Sequence, residues 1–222
     1  MERLPLIQTD QGFHVEGFPD AVKVIALGGP KARRLADLAL HRKDLEFAAD
    51  CLVALDGPPE GNEVIALALF RAALVHLMKC FGDSGARFQL SAAKVYHDEP
   101  PEALVVFQYF SDLRNKHIVH DENSYAQGVP GAILNNGRKP HKIEKIVCVT
   151  AISDARSPES IRNLRQLIDK ALAWVVAQFD GVCVELTKDL ETEPYQALLA
   201  RKSVAFTAPN VEDVGKRRPP GD

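Results

Sequence analysis

Residues 112–123 read DLRNKHIVHDEN and come one residue after the apolar run LVVFQYF. Arg114, Asn115, Lys116, His117, His120, Asp121 and Glu122 are thereby gathered at the close of an apolar segment. Such a set can do chemistry. An imidazole titrates near neutral pH and moves protons. A guanidinium offers planar donors that match the oxygens of an anion. The same residues also suit a solvated helix end. Arg114, Lys116 and His117 would then stabilise the negative terminus and bond free carbonyls. Asp121 and Glu122 would be solvated or paired with Lys116. Both readings stay open on residue types alone.

The elements that must position this stretch are mainly helical. Leu35, Leu38, Leu45, Ala49 and Leu52 form one stripe of a helix over 31–55, with Arg33, Arg34, His41, Arg42, Lys43 and Glu46 on a wet opposite face. Arg42 and Lys43 on that face are candidate phosphate contacts, as is Lys116. The sequence DGPP at 56–59 stops this helix. A second helix over 62–81 has Asn62 as N-cap and Glu63 in its first turn, and is apolar nearly all round. Arg71 and His76 lie inside it and need partners. RFQLSAAKVYH holds a short helical turn, and a third long helix starts at Glu102 after a Pro-Pro pair. Its apolar body is Leu104, Val105, Phe107, Tyr109, Phe110 and Leu113.

Asn136–Gly137 and the β-branched run from Ile143 to Ile152 predict a β-hairpin at about 129–153. A lone hairpin is marginal in water, so it should lie on the helices or pair with another strand. Ser157, Pro158 and Glu159 then open a fourth long helix, with Ile161, Leu164, Ile168, Leu172, Val175, Val176 and Phe179 on one face. Its pattern continues past Gly181 to Leu190, with a bend or break at the glycine. Residues 1–30 read as an irregular arm with a short strand at Val22–Leu27, and residues 201–222 as a flexible tail. The expected architecture is mostly α. It has a four-to-five-helix bundle over 31–200 and a β-hairpin inserted between the third and fourth long helices.

Composition narrows the function classes. Net charge is −3, so any phosphate contact has to be local rather than a broad basic surface. Cys51, Cys80, Cys148 and Cys183 are far apart, with no metal-ligand spacing, and at least three sit in apolar runs. Buried free thiols, a reducing cytoplasm and no metal or other cofactor are expected. Arg71 interrupts the longest apolar run, VIALALF, so no membrane span is expected.

Arg114-Asn115-x4-His120 resembles the arginine–polar–x–histidine signature of the HEPN superfamily of helical-bundle ribonucleases and nucleotide-binding proteins. The following Asp121 and Glu122 resemble the family's acidic continuation after the histidine. The likeness covers roughly residues 31–195, with the hairpin as an insertion.

The resemblance implies a metal-independent endoribonuclease, a toxin or phage-defence factor, in which the RNA 2′-OH attacks the adjacent phosphorus. His120 would move protons, Arg114 would hold the charge on phosphate, and Asn115 would orient one of them. His117 would be a second proton carrier that the family pattern does not demand. It further implies RNA as substrate, a homodimer with both motifs in one cleft, and an antitoxin or regulatory protein as partner. A HEPN-like module without catalysis, binding a nucleotide or a protein, is the alternative, and a plain helical scaffold is the third. On a continuous α-helix Arg114 and His120 would stand about 120° apart. Either the helix ends near Ile118 and His120 swings back, or the site is composite.

Overall fold

In the computed structural model the described residues are 6–9, 12–15, 17–18, 20–57, 62–83, 85–120, 122–205 and 208–216. The chain is mostly helical. Strands β1 (Leu6–Thr9) and β2 (Gly12–Val15) precede α1 (Gly29–Leu55), α2 (Glu63–Phe81), α3 (Ala92–Val95) and α4 (Glu102–Leu113). A π-helical turn, Arg114–Val119, extends α4. Then come β3 (Ala126–Leu134), β4 (Ile143–Ile152), α5 (Pro158–Glu191), α6 (Tyr195–Ala200) and a 3₁₀ turn, Val211–Asp213.

Local signals set several of these boundaries. Asn62 Oδ1 accepts from the Ile65 N–H at 3.3 Å, and Ser157 Oγ accepts from Ser160 N–H at 2.9 Å. Each bond satisfies a donor that a helix start leaves without an intrahelical partner. β3 and β4 pair antiparallel, with Val129 opposite Val149 and Pro130 opposite Cys148. Gly137 has φ +77° in the connecting turn, and its N–H is bonded by Asn135 Oδ1 at 2.8 Å.

Contacts divide the chain into two units. The first comprises Met1–Lys43, Gly82–Leu90 and Leu172–Asp222. Here Asp37 and His41 hold the 85–90 segment. Asp37 Oδ2 accepts from Phe88 N–H at 3.1 Å, and His41 Nε2 lies 2.8 Å from Phe88 O. The Arg34 guanidinium stacks over the Phe88 ring at 4.9 Å. Lys31 pairs with Asp189 at 2.7 Å. Ile25 bridges Ser203 antiparallel, and Lys23 donates to the carbonyls of Leu199 and Arg201.

The second unit comprises Asp44–Phe81 and Ser91–Ala171. Its core includes Leu45, Leu52, Phe70, Leu74, Leu77, Phe110, Leu164 and Ile168. Phe81, Tyr96 and Phe107 form an aromatic cluster, with centroids 4.7–5.9 Å apart. The buried Tyr96 hydroxyl donates to Leu167 O at 3.2 Å, and burial pushes its pKa up.

Several expectations change. Leu6–Thr9 and Gly12–Val15 pair as antiparallel strands where an irregular arm was expected, and within 22–27 only Ile25 makes a bridge. His41 is fully buried, not on a wet face, because its ring edge packs on Phe88 while its nitrogen meets a carbonyl. α5 runs through Gly181 without a break; no atom lies near the glycine to force one. On α4 only Phe110 and Leu113 are buried, while Leu104, Val105 and Tyr109 are exposed. The hairpin is exposed on both faces, so Cys148 is exposed rather than a buried thiol. In the tail, Asn210 caps the 3₁₀ turn, and residues 217–222 lie outside the described residues. By length and composition α2 is apolar enough to cross a bilayer, so Arg71 does not by itself exclude a span. Seven of its side chains, from Phe70 to Phe81, are nonetheless buried against protein.

Candidate functional site

The candidate site lies in the second unit, where α4 passes into the π-helical turn Arg114–Val119. Bonding at i→i+5 widens the backbone and changes which side chains share a face. Leu113, His117 and Ile118 thus line one small cavity together. The helix closes at His120, and Glu122 N–H reaches back to Lys116 O at 2.5 Å. The chain therefore doubles back directly after the turn. α-Geometry ends at Leu113, so the 120° separation of a continuous α-helix does not describe Arg114 and His120.

Arg114 is half-buried and its Nη1 donates to Asn115 Oδ1 at 2.7 Å. Its Nε is buried and has no hydrogen-bond acceptor. Among the described residues no carboxylate pairs with this guanidinium. His117 is half-buried, with its ring 5.3 Å from that of Tyr125 and its Nδ1 buried without a partner. His120 is exposed and makes no hydrogen bond among the described residues. Lys116 is exposed and pairs with Asp112 at 3.8 Å, one helical turn back. Asp121 lies outside the described residues. Arg42 is half-buried and Lys43 exposed, and both belong to the first unit.

The cavity beside His117 holds about 10 Å³, room for about one water, and is also lined by Arg71, Phe70, Ser153 and Ala155. Arg71 on α2 is the buried-side cation that the sequence left without a partner. Its charge helps to lower the Asp154 pKa, although the larger cause is the hydrogen bond from Arg156. Arg156 in turn reaches Glu63 at 2.7 Å. Tyr109 lies close by on α4. Burial, then the neighbouring Tyr125 hydroxyl, pushes the Tyr109 pKa up to about 12.

His76, the histidine of α2, is held by structure. Its Nδ1 is 2.9 Å from Asp44 Oδ1, its ring stacks on Phe47 at 4.5 Å, and Lys79 shares the same carboxylate oxygen. Asp56 is likewise occupied by Arg165 at 2.8 Å. Among the described residues no three His, Cys, Asp or Glu side chains gather as a metal-binding group.

A larger cleft of about 490 Å³ lies elsewhere in the second unit, between Tyr96–Val106 and one side of α5. Glu99 and Lys170 pair across it at 2.7 Å. Sequence reading missed it, although Asn163, Gln166 and Lys170 form a polar stripe at helical spacing on α5. No family model, no curated protein and no solved structure matches this chain.

Proposed function

We propose that the chain is a metal-independent endoribonuclease of HEPN type, with Arg114, Asn115 and His120 as its working groups. The observation that carries this reading is the state of Arg114. Asn115 fixes one end of the guanidinium, while a buried Nε lacks any acceptor and no described carboxylate neutralises the charge. A buried donor without a partner is costly in a protein that only folds. It is an asset where an anion is to be held.

In the proposed reaction a base removes the proton of the RNA 2′-OH, and that oxygen attacks the adjacent phosphorus. The bond from phosphorus to the 5′-oxygen breaks, the leaving oxygen is protonated, and a cyclic phosphate remains. His120, exposed at the turn, is the proton carrier. Arg114 stabilises the charge that builds on the phosphoryl oxygens. His117 is the second proton carrier, and Lys116 a phosphate contact. The reading takes a homodimer in the cytoplasm, with both motifs in one cleft, acting as a toxin or defence factor under a regulatory partner.

The non-catalytic HEPN-like module remains the second reading, because one observation favours it. No described group orients the His120 ring, whereas the His117 ring is packed on Tyr125. An RNA-cleavage assay in chelator separates the two. Chelator-resistant cleavage lost in both Arg114→Ala and His120→Ala supports the enzyme. A folded wild type that cleaves no RNA supports the module.

A further inference from the structure

We propose that the outer edge of β4 pairs with the same edge of a second copy of this chain, antiparallel about a two-fold axis at Val149. The β3–β4 ribbon is a two-stranded sheet with no further strand on either edge among the described residues. Such a ribbon is marginal in water. Here both faces are also apolar and open: Val129 and Val149 on one are 59% and 66% exposed, and Ile146 and Ile152 on the other 69% and 73%. Contiguous exposed apolar surface of this kind marks an interaction site.

The hydrogen-bond alternation decides which edge is available. Ser153 N–H donates to Tyr125 O at 2.7 Å, which makes that opposed couple a hydrogen-bonded pair. Alternation by two then makes Pro130–Cys148 a non-hydrogen-bonded pair, whose polar backbone groups face outward. Pro130 thus loses no ladder bond, but it leaves the outer edge of β3 without a donor, between Gly128 and Gly131. The β4 edge has no such protection. Ile146, Cys148, Thr150 and Ile152 turn their N–H and C=O groups outward, and the run Ile146–Ile152 contains no charge, proline or glycine.

The occupant is a second copy because this run is complementary to itself. Full antiparallel overlap sets Ile146 against Ile152 and Cys148 against Thr150 of the other copy, with Val149 on the axis. No like charges are opposed, and the outward-facing residues exchange bonds with one another. Edge pairing makes one continuous four-stranded sheet, in which Ile146, Cys148, Val149, Thr150 and Ile152 of each copy become cross-strand neighbours of the other. This inference does not depend on the ribonuclease reading; an inactive dimer joined at β4 keeps it, and an active dimer joined elsewhere removes it alone.

Sedimentation of the full chain tests it. The wild type should run at twice the 24.4 kDa monomer mass at micromolar concentration. Val149→Lys should weaken the dimer about 100-fold by setting two lysines against each other. Thr150→Pro should do the same by removing an outward donor, with no ladder bond lost; for both, unchanged far-UV circular dichroism shows that the fold persists. Val149→Cys in a Cys148→Ser background should oxidise to a disulfide-linked dimer. A wild type that stays monomeric to about 100 μM overturns the proposal. Dimers unaffected by both folded edge variants, or dimers that never cross-link, overturn it as well.

Discussion

His41 and His76 differ from His117 and His120 in what their surroundings provide. His41 is buried with a carbonyl at 2.8 Å, and His76 shares the Asp44 carboxylate with Lys79. His117 and His120 make no hydrogen bond to any described residue. The contrast extends to the neighbouring cations. Arg156 is fixed by Asp154 and Glu63, while Arg114 has only the neutral Asn115. Burying polar groups is tolerable when protein supplies the partners. Where it does not, the group is left for something outside the chain. On this criterion the Asp37–His41–Asp44 stripe of α1 is scaffold, and the π-helical turn is the part available for chemistry.

The largest expected effect breaks the comparison outright if it fails. Arg114→Ala and His120→Ala should each reduce RNA cleavage by about 10²–10³-fold, with the urea midpoint of unfolding little changed. His41→Ala should do the reverse: a loss of about 2–4 kcal/mol in stability measured by urea unfolding, with cleavage per folded molecule unaltered. Asp44→Ala sharpens the same point at smaller scale. Its partners His76 and Lys79 are 31% and 55% exposed, so about 1–2 kcal/mol is expected. Gly181→Ala probes α5 away from either set. Open space around the glycine in an unbroken helix predicts stabilisation by about 0.5–1 kcal/mol in thermal unfolding.

The smallest effect concerns pH. Hydrogen bonds from Arg156 hold the Asp154 pKa below the ordinary carboxylate value. A depressed folded-state pKa gives stability that is present above the unfolded value and disappears as pH falls through the folded one. The contribution should therefore fade below about pH 4. Asp154 is 47% exposed, so solvent screening keeps it under about 1 kcal/mol. Comparing acid unfolding of the wild type with Arg156→Met checks it: the variant should lose that part of the acid slope.

Sequence alone determined what depends on neighbours a few residues away. The caps at Asn62 and Ser157, the helix after Pro101, the Asn136–Gly137 turn and the clustering of Arg114, Asn115 and His120 all rest on short-range backbone and side-chain preferences. Periodicity also placed Leu38, Leu45 and Leu52 in the core. Tertiary structure decided the rest, because burial and pairing depend on residues far off in the chain. Phe88, forty-seven residues away, turned His41 from a wet-face histidine into a core one. No described element covers Ile146 and Val149, which stand open in a strand whose composition predicted cover. The widened turn after Leu113 brought His117 to one cavity with Phe70 and Arg71 of α2. A hydrogen-bond donor is scaffold or site according to what stands opposite it, and no local pattern of residues specifies that.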